Sequence, residues 1–297
     1  MGQVLKTSTD QPVGRGSMRL VASLLVWFFT GVVIAADDLP ESNLEATVCG
    51  PFVERWAFQN WSSAAGSPDD SLVAMTPTAM SQEFRTDDRR TLVGFRLPAE
   101  PTVPNRGSLL FVQGNGMLVD RALRWLQPFS SAGLDVYLFD FRGYGRSNGN
   151  RRLQAMVSDY RALLRHLASH ANKPLYVYGI SFGGVLLANS LQAVPSGSRA
   201  VIDATPSVVS TLGCPTHFNP VDNVPDAAGS LLFIAGGKDE VVPMKATQLI
   251  RERVAGAGGH VLVLDEHAHP FQGSPEMLKS RLEKVLDFLL DSSGAKQ

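Results

Sequence analysis

The chain has 297 residues, 44% of them hydrophobic, so it is long enough for one large α/β domain or two small ones. Its 27 basic and 28 acidic residues nearly cancel, and the charges form only short local clusters. This balance indicates neither nucleic acid nor an anionic membrane surface as a partner. The sequence also has no repeat of fixed period and no low-complexity tract, which argues against repeat arrays and disordered scaffolds.

Residues 1–36 have the features of an export signal. Lys6, Arg15 and Arg19 precede the uncharged run LVASLLVWFFTGVVIAA at 20–36, which ends in small residues. This order is typical of a cleaved signal peptide. The 17-residue run is also at the lower limit for spanning a bilayer, so an uncleaved membrane tether through 20–36 is the alternative. We therefore predict an exported protein, periplasmic or secreted, either free or anchored by its N-terminus.

Residues 37–78 form an N-terminal extension rich in Ser, Pro and acidic residues, with scattered aromatic residues as in FVERWAFQNW. The sequence patterns indicate no particular structure for this extension. It contains Cys49, and the other cysteine of the chain is Cys214. Two thiols without grouped histidines do not make a zinc site. In an oxidising compartment a disulfide would tie the extension to a distant loop, and two free buried thiols are the alternative.

Residues 79–292 alternate short apolar runs with helical patterns, which predicts one α/β domain. MSQEFR and TLVGFRL flank a turn and predict an antiparallel hairpin. Six further runs are apolar enough for strands buried on both faces: SLLFVQG, DVYLFD, PLYVYG, AVIDA, SLLFIAGG and HVLVLD. Among the helical patterns are DYRALLRHLASH and PEMLKSRLEKVLDFLLDS, the second preceded by Ser274 as a cap. We expect a mostly parallel eight-stranded sheet with helices on both faces.

A serine flanked by glycines follows the run PLYVY directly. Gly179, Ser181 and Gly183 form a GxSxG pattern that leads into the helical GVLLANSLQ. A serine in such a strand-to-helix turn has a strained backbone, and the glycines relieve the crowding. The next helix then directs its positive end towards any anion that develops there. The pattern predicts Ser181 as a nucleophile, and an ordinary glycine-rich loop is the alternative.

A serine nucleophile needs a base, and the base needs a group that orients it. Asp239 follows the run SLLFIAGG and His269 follows HVLVLD, so Ser181, Asp239 and His269 occur in the chain order of one known hydrolytic triad. His267 is the competing base. Asp203, which ends AVIDA, is the alternative acid, although we expect a buried Asp there to be held by backbone amides.

Cleavage of an acyl group also requires donors for the negatively charged oxygen. The backbone N–H of Phe182, directly after the serine, is one candidate. The other is the backbone N–H of Asn115 in the loop QGNGM, where Gly114 and Gly116 allow a close approach to substrate. A plain strand-to-helix turn would use the same glycines and is the alternative for this loop.

These segments together resemble the small-lid serine hydrolases of the α/β-hydrolase superfamily, which include esterases and thioesterases. The resemblance covers about residues 80–290 and rests on LLFVQGNGM, FDFRGYGRSNG, YGISFGG, NPVDNV, AGGKDEVVP and HPFQG. It implies the α/β-hydrolase fold with a short or absent lid, with Ser181 as nucleophile, Asp239 as acid and His269, which heads HPFQG, as base. The sequence departs from the family at Gln113, where that branch commonly has His before the glycine.

The resemblance implies a serine hydrolase that cleaves carboxylic esters, or thioesters, through an acyl-enzyme intermediate and without a metal or organic cofactor. The expected substrate is a small-molecule or lipid-like acyl ester. Only about 25 residues separate AVIDA from SLLFIAGG, which predicts a short cap and an open site. A serine peptidase or amidase on the same scaffold, or a catalytically silent binding protein, are the alternatives.

Overall fold

The computed structural model describes residues 44–170 and 174–291. The predicted signal or tether at 20–36 and the first residues of the extension lie outside this part of the chain. The eight predicted strands are all present. They are β1 (Met80–Arg85), β2 (Thr91–Leu97), β3 (Gly107–Val112), β4 (Leu134–Phe139), β5 (Leu175–Ile180), β6 (Ala200–Asp203), β7 (Leu231–Gly236) and β8 (His260–Leu264).

The strands form one sheet in the order β1-β2-β4-β3-β5-β6-β7-β8. Strand β2 is antiparallel to both of its neighbours, whereas every other pair is parallel. Every residue of β6 and β7 is buried, as expected for central strands covered on both faces. The predicted hairpin and the mostly parallel sheet are therefore confirmed.

Helices cover both faces of the sheet. The helices are α1 (Pro51–Ala65), α2 (Asp70–Ala74), α3 (Leu123–Ser131), α4 (Leu153–His170), α5 (Phe182–Ala188), α6 (Gln248–Gly256) and α7 (Pro275–Leu290). Alternate residues of β3 face opposite sides: Leu110 and Val112 pack with α1, α4, α5 and α6, while Leu109 and Phe111 pack with α3 and α7. None of the helices in the described residues is both long and apolar enough to cross a bilayer.

The N-terminal extension is folded against the domain and contains α1 and α2, which the sequence patterns had not indicated. Glu54, Phe58 and Ala65 are buried on one face of α1, and Trp61 is half-buried between them. Their spacing is that of a helix face that packs on a core. A charged residue at the first of these positions obscures the apolar pattern in the sequence.

The buried carboxylate of Glu54 joins the extension to the start of α4. One oxygen accepts hydrogen bonds from the backbone N–H groups of Val48 and Cys49 at 2.6 and 2.8 Å. The other accepts from the N–H of Leu153 at 2.9 Å. These N–H groups precede or begin helices and have no partner within them, so the carboxylate satisfies donors that would otherwise be buried unpaired.

Cys49 and Cys214 form a disulfide bond. It links the residues just before α1 to the loop that follows β6. Of the two alternatives for the thiols, the structure has the bonded form. The extension is therefore held to the domain covalently as well as by packing.

Candidate active site

Ser181 lies in a tight turn between β5 and α5, with φ of 52° and ψ of −119°. A positive φ is unusual for a residue other than glycine and is found where surrounding structure enforces it. A Cβ atom at Gly179 would lie 2.7 Å from the carbonyl oxygen of Gly183, and one at Gly183 would lie 2.2 Å from that of Val112. Both positions therefore require glycine, which accounts for the pattern around the serine.

Asp239 and His269 are hydrogen-bonded on neighbouring loops, after β7 and β8. Nδ1 of His269 lies 2.8 Å from Oδ2 of Asp239, and both residues are buried. The other oxygen, Oδ1 of Asp239, accepts from the N–H groups of Val241 and Val242 at 2.9 and 2.8 Å. An ionised carboxylate only accepts hydrogen bonds, so the proton belongs to Nδ1 and Nε2 of the imidazole is left as the basic nitrogen.

A cavity of about 650 Å³ lies over the carboxyl ends of the strands and is lined by both Ser181 and His269. Ser181 and His269 thus line the same cavity, and Asp239 is hydrogen-bonded to the histidine. Much of the lining is apolar and includes Trp61, Met117, Trp125, Phe182, Val209 and Phe271. Such a cavity can hold an uncharged acyl group beside the serine.

The loop after β3 lies directly beside Ser181. A Cβ atom at Gly114 would lie 3.3 Å from Cβ of the serine, and Asn115 lines the cavity. The hydroxyl of Tyr144 donates a hydrogen bond to Oδ1 of Asn115 at 3.0 Å. Burial raises the pKa of Tyr144, so the hydroxyl keeps its proton and remains a donor. Tyr144 therefore holds the loop in place through a hydrogen bond to the side chain of Asn115.

Phe182 is the first residue of α5 and also lines the cavity. The N–H groups of the first helical turn have no carbonyl partner within their own helix. Phe182 follows Ser181 directly and the loop that carries Asn115 lies beside it, so the backbone of both residues is close to the serine.

His267 is placed differently from His269. It does not line the large cavity, and neither of its ring nitrogens has a hydrogen-bond partner among the described residues. Burial lowers the pKa of His267, and the nearby charge of Arg281 acts in the same direction. Of the two histidines, only His269 is hydrogen-bonded to the carboxylate of Asp239.

Asp203 is not held by backbone amides, so that expectation was wrong. Its Oδ1 lies 2.6 Å from Nη1 of Arg281, and its Oδ2 accepts from the hydroxyl of Tyr178 at 2.9 Å. Burial raises the pKa of Asp203, and the charge of Arg281 opposes that rise. Asp203 is thus the partner of a buried cation rather than of His269.

Two residues at or near the site were not found from the sequence. Trp61 lines the cavity although it belongs to the extension. The helical spacing of aromatic residues in FVERWAFQNW is the signal that could have found it. Arg281 donates to the carbonyl of Ala268 at 2.9 Å and so supports the histidine loop from α7. Nothing in the sequence marks Arg281, which is one of several charged residues in an amphipathic helix.

Within residues 44–170 and 174–291, no three His, Cys, Asp or Glu side chains lie close enough together to hold a metal ion. The cavity is lined by a hydroxyl and an imidazole, together with the guanidinium of Arg121 and the amides of Asn115 and Gln272. These groups suit nucleophilic acyl transfer.

Comparison with known families and curated proteins finds similarity to hydrolases. The model of Hydrolase_4, serine aminopeptidase S33, matches residues 103–221, fewer than half of the chain. Protein bem46 of Schizosaccharomyces pombe is 25% identical over 182 residues, which are 54% of this chain and 60% of that protein. A monoacylglycerol lipase of Mycolicibacterium smegmatis is 25% identical over 253 residues, 64% of this chain and 90% of the lipase.

Among solved structures, the esterase Pf2001 of Pyrococcus furiosus has a similar fold. It superimposes with a TM-score of 0.56 at 19% identity, over 71% of this chain and 91% of the esterase. The chain therefore has the α/β-hydrolase fold, with the mostly parallel eight-stranded sheet and the strand-turn-helix around Ser181 described above.

Proposed function

We propose that the protein is a serine hydrolase that cleaves carboxylic esters through an acyl-enzyme intermediate. One observation carries the proposal: His269 is hydrogen-bonded to buried Asp239 and lines the same cavity as Ser181. An unactivated hydroxyl is a poor nucleophile, and a histidine oriented by a carboxylate is a common means of activating it. The proposed roles are Ser181 as nucleophile, His269 as base and Asp239 as the group that orients the base.

In the first half of the proposed reaction, Oγ of Ser181 attacks the carbonyl carbon of the ester while its proton passes to Nε2 of His269. The carbonyl oxygen becomes negatively charged and accepts hydrogen bonds from the N–H groups of Phe182 and Asn115. The tetrahedral intermediate then collapses, and the alcohol leaves with the proton from His269. An acyl group remains bonded to the serine.

In the second half, water attacks the acyl-enzyme and gives its proton to His269. The second tetrahedral intermediate collapses, the carboxylic acid is released, and the proton returns to Ser181. Throughout, Asp239 holds Nδ1 of the imidazole and stabilises the charge that the ring acquires. The same steps would cleave a thioester, with a thiol as the leaving group.

The charges at the cavity favour an ester over a substrate with a free amino terminus. An aminopeptidase substrate carries an ammonium group, which requires an acidic partner when it is taken out of water. The cavity lining contains no Asp or Glu among the described residues, and its charged side chain is that of Arg121. A cation there disfavours a substrate with a free amino terminus. Peptide or amide hydrolysis is thus the second candidate, supported by the description of the matched family.

Two measurements on the purified full chain test the proposal. A fluorophosphonate probe, which reacts with activated serines, is expected to label the wild type but not Ser181→Ala. A panel of p-nitrophenyl esters is then compared with aminoacyl p-nitroanilides, and we expect larger kcat/KM values for the esters. Absence of labelling of the wild type, or equal labelling of Ser181→Ala, contradicts the serine hydrolase. Preference for the anilides supports the peptidase instead.

The two histidines provide a matched pair of variants. His269→Ala removes the group bonded to Asp239 and is expected to abolish ester hydrolysis. His267→Ala removes an imidazole that is two residues away and outside the cavity, and it is expected to retain most activity. The reverse result would make His267 the base.

We also propose that the protein acts outside the cytoplasm. The basic leader and apolar run at 20–36 support export, and the Cys49–Cys214 disulfide is typical of an oxidising compartment. Fractionation of cells that express the full chain tests the proposal, with N-terminal sequencing to separate a cleaved signal from a tether. Recovery of intact, reduced chain in the cytoplasm would contradict it.

A further inference from the structure

The N-terminal extension contributes a wall of the cavity. Trp61, on the third turn of α1, lines the cavity together with residues of the hydrolase domain. At the end of α1, Cβ of Ala64 lies 3.9 Å from where a Cβ atom at Gly116 would stand, so the helix reaches the loop that carries Asn115. A segment outside the predicted catalytic domain is therefore part of the site.

Trp61 is held against the residue that follows the serine. Its ring centroid lies 6.3 Å from that of Phe182 and 5.5 Å from that of Phe58. Phe58 in turn contacts Phe182 edge to face at 5.3 Å. Aromatic pairs at such distances attract one another in addition to burying apolar surface. The rings of Phe58 and Phe182 thus hold the indole, which also borders the cavity.

The attachment of α1 makes this wall a permanent part of the site. The buried carboxylate of Glu54 binds three N–H groups, and the Cys49–Cys214 bond fastens the residues just before the helix. Phe58, between these anchors and Trp61, is only 3% exposed. An ordered side chain can discriminate between substrates because little conformational entropy is lost when it contacts one.

Part of the cavity wall is apolar throughout. We call Trp61, Phe182, Val185 and Val209 the α1 flank, because all four line the cavity and pack with the core on the α1 face of the sheet. All four side chains are apolar. The rest of the lining combines further apolar side chains, among them Met117, Trp125 and Phe271, with the polar groups of Asn115, Arg121 and Gln272. An apolar substituent of the substrate would contact the α1 flank with no loss of hydrogen bonds to water.

We propose that the substrates are esters of carboxylic acids with an apolar acyl chain and that Trp61 sets the preference for the acyl group, which lies along the α1 flank. The inference rests on the proposed ester hydrolysis and adds its substrate class. Trp61 acts by contact with the acyl chain and takes no part in bond making.

The test compares esters that differ only in the acyl group. The p-nitrophenyl esters of acetic, butyric, octanoic and dodecanoic acids are assayed with the wild type, Trp61→Ala and Trp61→Phe. We expect the kcat/KM ratio of octanoate to acetate to fall roughly tenfold in Trp61→Ala, the usual size of effect when an apolar pocket loses contact with its substrate. The fall should be smaller in Trp61→Phe, which keeps an aromatic wall.

Trp56→Ala is the matched control. Trp56 belongs to the same helix, is 71% exposed and does not line the cavity. Its removal is expected to leave the octanoate to acetate ratio unchanged. A second series, with one acyl group and several alcohols, should show the same alcohol preference in Trp61→Ala as in the wild type.

The labelling rate with a fluorophosphonate probe separates the possible failures. If the wild type is neither labelled nor active on any ester, the proposed function itself fails. If the variants are labelled and active but Trp61→Ala leaves the acyl ratio unchanged or raises it, only the present inference is overturned. A change in alcohol preference alone also overturns it. If Trp61→Ala is not labelled because it does not fold, the ratio in Trp61→Phe decides.

Discussion

Arg281 pairs with Asp203 beneath the loop that carries His269. Nη1 of the arginine lies 2.6 Å from Oδ1 of the aspartate, and neither side chain is more than 2% exposed. The same guanidinium donates through Nη2 to the carbonyl of Ala268, the residue before the histidine. The ion pair therefore connects the end of β6, the helix α7 and the histidine loop in the interior of the domain.

Removal of one partner of this pair should destabilise the fold strongly. Arg281→Met leaves the carboxylate of Asp203 buried without its counter-charge, and we expect the free energy of unfolding to fall by about 3–5 kcal/mol. The double variant Arg281→Met/Asp203→Asn should lose less than the sum of the single losses, because no buried charge is left unpaired. Urea denaturation of the four proteins measures this coupling.

Lys279→Met is the control on the same helix. Lys279 pairs with Glu283 at 3.9 Å, and both side chains are more than half exposed. Loss of such a surface pair should cost less than about 1 kcal/mol. If Arg281→Met lowers the free energy of unfolding no more than Lys279→Met does, the buried pair contributes no more to stability than the surface pair.

Asp239→Asn should reduce kcat for ester hydrolysis by about 10³- to 10⁴-fold. The carboxamide can donate towards Nδ1 of His269, which would move the ring proton to Nε2 and remove the base. Steady-state kinetics with a p-nitrophenyl ester measure the effect. Glu240→Gln, at the exposed next position, is the control and should keep the wild-type rate. A kcat for Asp239→Asn within tenfold of the wild type would assign the acid role elsewhere.

Asp140 should make stability fall as the pH rises. Burial raises the pKa of Asp140 from 3.8 to about 7. Between these values the folded chain holds a proton that the unfolded chain has released, so the free energy of unfolding decreases with pH and levels off above about 7. Asp140→Asn does not titrate and keeps the acceptor for the N–H of Val119. We expect the variant to gain stability relative to the wild type from about pH 4 to pH 7.

Asp135→Asn provides a control of opposite sign. Burial tends to raise the pKa of Asp135, but hydrogen bonds from Arg96 and Asn105 outweigh it and lower that pKa. The stability that Asp135 contributes is present above its unfolded pKa and is lost as the pH falls through the lower folded value. From about pH 4 to pH 7 the stability difference between Asp135→Asn and the wild type should therefore be constant, and it should change only below about pH 4, with a slope opposite in sign to that of Asp140→Asn. Thermal unfolding of both variants from about pH 2 to pH 7 measures the two curves. Parallel curves would contradict the assignment for Asp140.

Gln113→Met should stabilise the protein. Gln113 is fully buried, and neither its amide nitrogen nor its amide oxygen has a hydrogen-bond partner among the described residues. An apolar side chain of similar length leaves no buried polar group without a hydrogen bond. It should therefore raise the free energy of unfolding by about 1 kcal/mol. Asn189→Leu is the contrast, because the buried amide of Asn189 donates to the carbonyls of Val185 and Phe218. Urea denaturation should show it destabilised.

Loss of the disulfide should lower the free energy of unfolding by up to about 5 kcal/mol, since it closes a long loop in the unfolded chain. Its cysteines are 165 residues apart. The Cys49→Ser/Cys214→Ser variant tests this by chemical denaturation. Dithiothreitol should destabilise the wild type and leave the variant unaffected. Equal stability of the variant and the oxidised wild type would contradict the prediction.

The strands and the order of the site residues could be predicted because each depends on a short segment. Runs such as SLLFIAGG are too apolar for anything but a doubly covered strand, and the ends of parallel strands meet at one edge. Ser181, Asp239 and His269 each follow such a run. Their approach in space therefore follows from local patterns and one topological rule.

The remaining features depend on partners far apart in the chain. Asp203 was expected to bind backbone amides, but its partner Arg281 is 78 residues away on another helix. The structure of α1 was missed because Glu54 occupies a core position, where hydrogen bonds from the backbone N–H groups of Val48, Cys49 and Leu153 make a carboxylate acceptable. No local pattern specifies such tertiary partners.

The disulfide divides the chain into a covalent ring and two tails. Residues 49–214 form the ring, which contains Trp61 and Ser181, whereas Asp239 and His269 belong to the C-terminal tail. A protease that cuts one bond within the ring opens it but releases no fragment. A single cut after Cys214, in contrast, leaves β7, β8 and α7 attached by noncovalent contacts alone. A single cleavage within the ring therefore cannot release the proposed nucleophile or the α1 flank. A single cleavage after Cys214 can separate the proposed acid and base from them.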